Sequence, residues 1–176
     1  LEPVPVSQDA PIAPVSKKKT KEPELRPRGD FDFIFMAARA SDAQMIWPQF
    51  RFYRATGLPV YATSMIYGGH GDNELNNVSF CDMPMMLQAD STWSRVRADA
   101  ADLPAIKTQP RLFALGYDAY NLVGLMQNGK IQTGVALPAA SGGLVMKPNG
   151  VISRTLGCAQ FRDGGIYTLD APAPAP

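Results

Sequence analysis

The run Asp30-Phe-Asp-Phe-Ile-Phe-Met-Ala-Ala38 constrains this chain most, because it begins as an alternation and then turns continuously apolar. That pattern belongs to a strand covered on both faces, as in a parallel sheet. Parallel neighbours need a crossover, and the next residues supply one. Ser41 is expected to be the helix N-cap, with Gln44 three residues on completing a capping box. Ile46, Phe50 and Tyr53 follow at spacings of four and three as one apolar face, and Pro48 inside this helix predicts a kink or a split. Gly57 suits the C′ position, Pro59 blocks continuation, and Val60–Tyr67 reads as the second strand. The 38 residues from Asp30 to Tyr67 are thus predicted to form one right-handed β–α–β unit.

Downstream, Gly68-Gly-His-Gly-Asp72 reads as a flexible loop, Asn77–Asp82 as a short strand ended by Pro84, and 85–102 as a weaker helical stretch. Arg111–Asn128 predicts a strong helix closed by Gly129. One of its faces carries Leu112, Leu115, Ala119, Leu122 and Met126, and another carries Phe113, Tyr117 and Tyr120. Apolar on two sides, it is expected to be buried, with Gly116 and Gly124 allowing close approach of a neighbour. Short β segments then alternate with turns at Gly143–Met146, Val151–Arg154, Ala159–Arg162 and Ile166–Leu169. Asn149-Gly150 and Asp163-Gly164 are hairpin signals. The class is α/β: a parallel sheet with flanking helices and a C-terminal antiparallel β segment.

Nine of the sixteen prolines fall in 1–28 and 171–176, so these ends are expected to be a disordered Pro/Lys-rich linker or insertion and a disordered Ala-Pro tail, leaving one domain over 29–170. Removing the six basic and four acidic residues of 1–28 from the totals of 17 and 16 leaves 11 and 12, a net charge of −1. That remainder has no electrostatic footprint for nucleic acid. The run Lys17–Lys21 is read as a solvated linker rather than a lipid contact. No apolar stretch approaches the roughly 20 residues that cross a bilayer. The chain begins at Leu1, as expected of a processed product or a fragment.

The residues offer little chemistry. Two cysteines, Cys81 and Cys158, form no CxxC and have no paired histidine, which argues against a zinc or other metal site. They are read as two independent buried thiols, with a single disulfide as the alternative in an oxidising compartment. The one histidine, His70, sits in the Gly-rich loop with no nucleophile elbow elsewhere, and that loop lacks the GK[ST] of a phosphate cradle. Asp82 and Asp118 are the best-placed acids for an acid–base pair, but Asp118 is expected instead to bond a backbone amide or hydroxyl. No catalytic residue and no cofactor is assigned. In open parallel sheets ligands bind beyond the carboxyl ends of the strands, which places a ligand or partner cleft at Arg39, Ser41, Asp42, Ser64 and Tyr67.

Five segments in order, Asp30-Phe-Asp-Phe-Ile-Phe-Met-Ala-Ala, Pro59-Val-Tyr-Ala-Thr-Ser, Phe80-Cys-Asp-Met-Pro, Arg111-Leu-Phe-Ala-Leu-Gly-Tyr-Asp-Ala-Tyr and Ala159-Gln-Phe-Arg-Asp-Gly, resemble the C-terminal domain of the LppC/LpoA lipoproteins. Gly143-Leu-Val-Met-Lys-Pro-Asn-Gly150 is similar to a pattern near the end of type I periplasmic binding proteins. The resemblance implies the second half of a two-lobed fold of that type, with Phe80, Cys81, Asp82, Met83 and Pro84 as a hinge region. It also implies a non-catalytic activator of a class A penicillin-binding protein, held by an N-terminal lipid on the periplasmic side of the bacterial outer membrane. Peptidoglycan is a second implied contact. A periplasmic solute-binding protein for a small polar ligand such as an amino acid is the alternative, since fold does not fix function.

Overall fold

In the computed structural model, residues 30–169 apart from 54, 56, 89 and 90 are described. The expectations for 1–28 and 171–176 fall outside them. Strand β1 (Ile34–Met36), helix α1 (Ala40–Phe52) and strand β2 (Val60–Ala62) form the expected unit, with β1 and β2 parallel and Phe35 opposite Tyr61. Strand β3 (Val78–Asp82) continues the parallel set. Helices α2 (Pro84–Leu87), α3 (Ser91–Asp99), α4 (Pro104–Thr108) and α5 (Pro110–Gln127) follow. Strands β4 (Ala136–Ala139), β5 (Gly142–Met146) and β6 (Ile152–Thr155) make an antiparallel three-stranded sheet. The chain then returns as β7 (Gly157–Arg162) and β8 (Gly165–Leu169), giving a five-stranded sheet of order β1-β2-β3-β7-β8.

Helix α1 begins earlier than its cap residues suggest. Arg39 is the N-cap, already extended, and its carbonyl takes the first helical bond from Ala43 N–H. Ser41 therefore lies inside the first turn and reaches Asp42, while the Gln44 side chain turns outward to donate to Asp72 Oδ2 at 2.6 Å. The buried stripe is Ala43, Trp47 and half-buried Phe50, not Ile46 and Tyr53, which are exposed. Both stripes have spacings of four and three, and they differ in which one meets the sheet. Pro48 is on the solvent side and the helix runs through it unbroken, since water can serve the carbonyl its ring leaves unpaired. Tyr53 is the C-cap, so Gly57 belongs to the turn before β2 rather than to a helix end. The second strand is also shorter than expected, giving way to a 3-10 turn at Ser64–Ile66.

Helix α5 does end as its sequence says. Gly129 takes φ +62°, its N–H bonds Met126 O, and Lys130 N–H bonds Leu125 O, a Schellman closure. Its burial is another matter. Ala114 and Asp118 are buried, whereas Leu112, Leu115, Tyr117, Val123 and Met126 are exposed and Tyr120 is 82% exposed. Gly116 and Gly124 face open space among the described residues. The same holds for one face of the five-stranded sheet. Helix α1 packs on the side of Val60, Val78 and Phe80, while Phe33, Phe35 and Tyr61 are exposed on the other, so β1 is not covered on both faces as expected. Periodicity states which residues favour burial and cannot supply what buries them.

The core on the α1 side centres on three aromatic rings. Phe80 lies 5.2 Å from Tyr67 and 4.9 Å from Phe161, ring centre to ring centre. Asp163 (φ 51°) and Gly164 (φ 76°) form the two-residue turn between β7 and β8 that their sequence predicted. The Gly-rich loop is packed against that turn. A Cβ at Gly71 would sit 1.9 Å from Gly164 O, so the loop is shaped by contact with a hairpin and offers no phosphate cradle. Because backbone stands against backbone there, Gly71→Ala is expected to lower stability by about 2 kcal/mol, read as a shifted urea midpoint with an unchanged slope.

Candidate partner cleft at the strand ends

The carboxyl ends of β1, β2 and β3 open toward one edge of the sheet, at Met36–Arg39, Ala62–Tyr67 and Asp82–Pro84. The structure divides the five expected cleft residues into two groups. Arg39, Ser41 and Asp42 are exposed at the start of α1. Ser64 and Tyr67 sit deeper, Ser64 opening the 3-10 turn after β2 and Tyr67 capping its end, with Tyr67 only 6% exposed and stacked on Phe80.

Into this second group comes a residue that the cleft expectation omitted. Arg111, in the first turn of α5, lays its guanidinium against the strand ends. Its Nε donates to Asp82 Oδ1 at 3.0 Å and Oδ2 at 3.2 Å, and its Nη2 donates to Asp82 Oδ2 at 2.6 Å. The same Nη2 reaches the carbonyls of Ser64 at 2.7 Å and Tyr67 at 2.9 Å. Asp82 is 1% exposed and also accepts the Met83 N–H at 2.8 Å. A carboxylate this deep requires such partners, since a buried charge left alone is very costly. One sequence signal did exist: a cation in a helix's first turn opposes the helix dipole and calls for a nearby acid.

Asp118, the other candidate acid, accepts the N–H groups of Ala140 at 2.9 Å and Ser141 at 2.7 Å, as expected, and so ties α5 to the β4–β5 turn. The two acids are thus committed to separate structural bonds and form no acid–base pair. His70 is exposed, and its Nδ1 lies 3.2 Å from the neighbouring Gly71 carbonyl. Cys81 and Cys158 lie directly opposite on β3 and β7 and are joined by a disulfide, which corrects the reading of two independent thiols. Spacing along the chain carried no sign of this, because register across 77 residues brings them together. A hollow of about 440 Å³ lies away from the strand ends, lined by Trp93, Tyr117, Asn121, Lys130 and Leu137.

Burial first, and the Asp82 carboxylate second, push the Tyr67 phenol above its ordinary pKa of 10.0. The folded state therefore holds this proton more tightly than the unfolded one. Its contribution to stability is whole below pH 10.0 and is lost as pH climbs through the raised value. An absorbance titration at 295 nm should show one tyrosine ionising after the others, and Tyr67→Phe should remove that late component. Arg111→Ala strands the Asp82 charge and is expected to cost about 3 kcal/mol in urea unfolding, with Arg111→Lys recovering only part because it lacks the fork.

Residues 17–164 match the family model described as "LppC putative lipoprotein". Penicillin-binding protein activator LpoA of Vibrio antiquarius (strain Ex25) is 27% identical over 148 residues, covering 79% of this chain and 24% of that protein. LpoA of Vibrio vulnificus (strain YJ016) is 28% identical over 150 residues, with the same coverage of 79% and 24%. The chain spans about a quarter of the length of the curated relatives it matches. Among solved structures, the C-domain of LpoA from Haemophilus influenzae, described as a regulator of PBP1A, superposes with a TM-score of 0.59 at 18% identity, over 81% of this chain and 46% of that one. That likeness is one of fold. A "putative branched-chain amino acid ABC transporter" from Chromobacterium violaceum superposes with a TM-score of 0.55 at 28% identity, over 75% and 42%.

Proposed function

Because the chain belongs to the LppC lipoprotein family, we propose that it is the C-terminal part of a non-catalytic activator of peptidoglycan synthesis. Its partner is a class A penicillin-binding protein, met by direct protein contact from the periplasmic side of the outer membrane. There a lipid anchor elsewhere in the protein tethers it, and peptidoglycan is the layer it crosses. The activator names of the relatives support this reading. Docking acts by binding the active conformation of the synthase more tightly than the inactive one, since only differential affinity shifts such an equilibrium.

The observation that carries the reading is the state of the strand-end cleft. The carbonyls of Ser64 and Tyr67 and the carboxylate of Asp82 are the groups a small polar solute would use, and Arg111 already occupies all three. What remains for a partner is the exposed rim at Arg39, Ser41 and Asp42. Phe80–Pro84 serve as the hinge region between the sheet and the helices that follow. The likeness to the Chromobacterium violaceum transporter favours a second reading, in which the cleft takes an amino acid.

Purified full-length protein is expected to retain a class A penicillin-binding protein in a pull-down and to raise its peptide cross-linking activity. Loss of both would overturn the activator reading. In the same preparation leucine, isoleucine and valine are expected to leave the melting temperature unchanged. A stabilising shift with any of them would promote the solute-binding reading instead.

A further inference from the structure

Two buried clusters organise the described residues. One gathers Trp47, Val60, Val78, Phe80 and Phe161, and the other Met83, Met85, Trp93, Ala114 and Ala140. The chain leaves the sheet of the first for the second at Asp82–Met83, the end of β3, with Leu87 of α2 still packed in the first, and comes back at Leu156–Gly157, the start of β7. These two passages run side by side, because β3 and β7 are antiparallel neighbours. Asp82 opposite Gly157 is their last register pair, and Cys81 opposite Cys158 is the pair before it. The disulfide therefore ties the exit to the return one residue short of both departures. On the other side of the strand end, Arg111 reaches back from the second cluster to hold Asp82 and the 3-10 turn of the first.

We infer that the Cys81–Cys158 disulfide is a redox-sensitive clasp on the hinge, holding the two passages at one angle and so keeping the strand-end cleft closed on Arg111. Both cysteines are only half-buried. By strand alternation they lie on the sheet face opposite α1, the face that also presents exposed Phe35 and Tyr61, where a reagent can reach them. The reductant is a dithiol. One of its thiolates attacks a sulfur of the bridge, forming a mixed disulfide and releasing the other cysteine as a thiolate that takes up a proton. Its second thiol then resolves the mixed disulfide. Two electrons and two protons pass to Cys81 and Cys158, and the dithiol leaves as a disulfide. After that, backbone pairing and the Phe80–Phe161 contact hold β3 to β7, while the arginine holds the end of β3 to the 3-10 turn. Nothing in this device depends on which partner the protein meets.

Hydrogen–deuterium exchange on the full chain, oxidised and after dithiothreitol, tests it. Amides of 64–67, 82–88 and 156–158 are expected to exchange about tenfold faster after reduction, with the β1–β2 pairing at 34–36 and 60–62 unchanged. A Cys81→Ala/Cys158→Ala double variant should show the fast pattern without reductant and ignore it when added. Unchanged exchange at the two passages would overturn the clasp. So would acceleration spread through β1 and β2, which would make the bridge a general staple.

Discussion

The contact between Arg111 and Asp82 sets the terms for everything around it. A carboxylate sealed at the end of a central strand needs a cation, and it is supplied here by bringing the start of α5 down onto the strand ends. The guanidinium then uses its remaining capacity on the Ser64 and Tyr67 carbonyls, which fixes the path of the chain after β2. Tyr67 is thereby seated against Phe80 and Phe161, so the ion pair and the aromatic core hold one another in place. An ion pair of this kind adds little net stability compared with apolar residues of the same volume, but losing one member is expensive. Its role is to specify geometry.

A second constraint comes from surfaces left uncovered. Parallel sheets are ordinarily sheathed on both faces, and here one face carries a row of exposed rings from Phe33 to Tyr61. Helix α5 presents Leu112, Tyr120 and Met126 in the same unsheltered way. Apolar rings and aliphatic side chains standing in the open like this are surfaces that favour company.

What could be read from the sequence was what neighbours along the chain decide. The Asp163-Gly164 turn and the Gly129 closure depend on residues a few positions apart and formed where expected, and the β–α–β unit formed with its elements in the expected order but with shorter strands. The choice between the Trp47 and Ile46 stripes of α1 was not legible, because the two differ by one residue and by which faces the sheet. Ser41 and Gln44 looked like a capping box, yet Gln44 had a better partner in Asp72, 28 residues away. The cleft's main occupant, Arg111, and the cysteine bridge are both products of long-range register. The first left a trace in its unfavourable place on the helix dipole. The second left none.

The two passages between the clusters carry a consequence for how such a protein can change over time. Residues 83–156 leave the five-stranded sheet and rejoin it at adjacent strand ends, where the Cα atoms of Cys81 and Cys158 stand 3.9 Å apart. Seen from the sheet, that whole stretch is one long loop of a β3–β7 hairpin, closed at its neck by a covalent stitch. Insertions whose ends meet so closely can be lengthened or trimmed at their far side, away from Leu87 and Arg111, without disturbing their host. The sheet is thus a socket and the excursion a cartridge, and the one part a replacement cartridge must bring with it is a cation to meet Asp82.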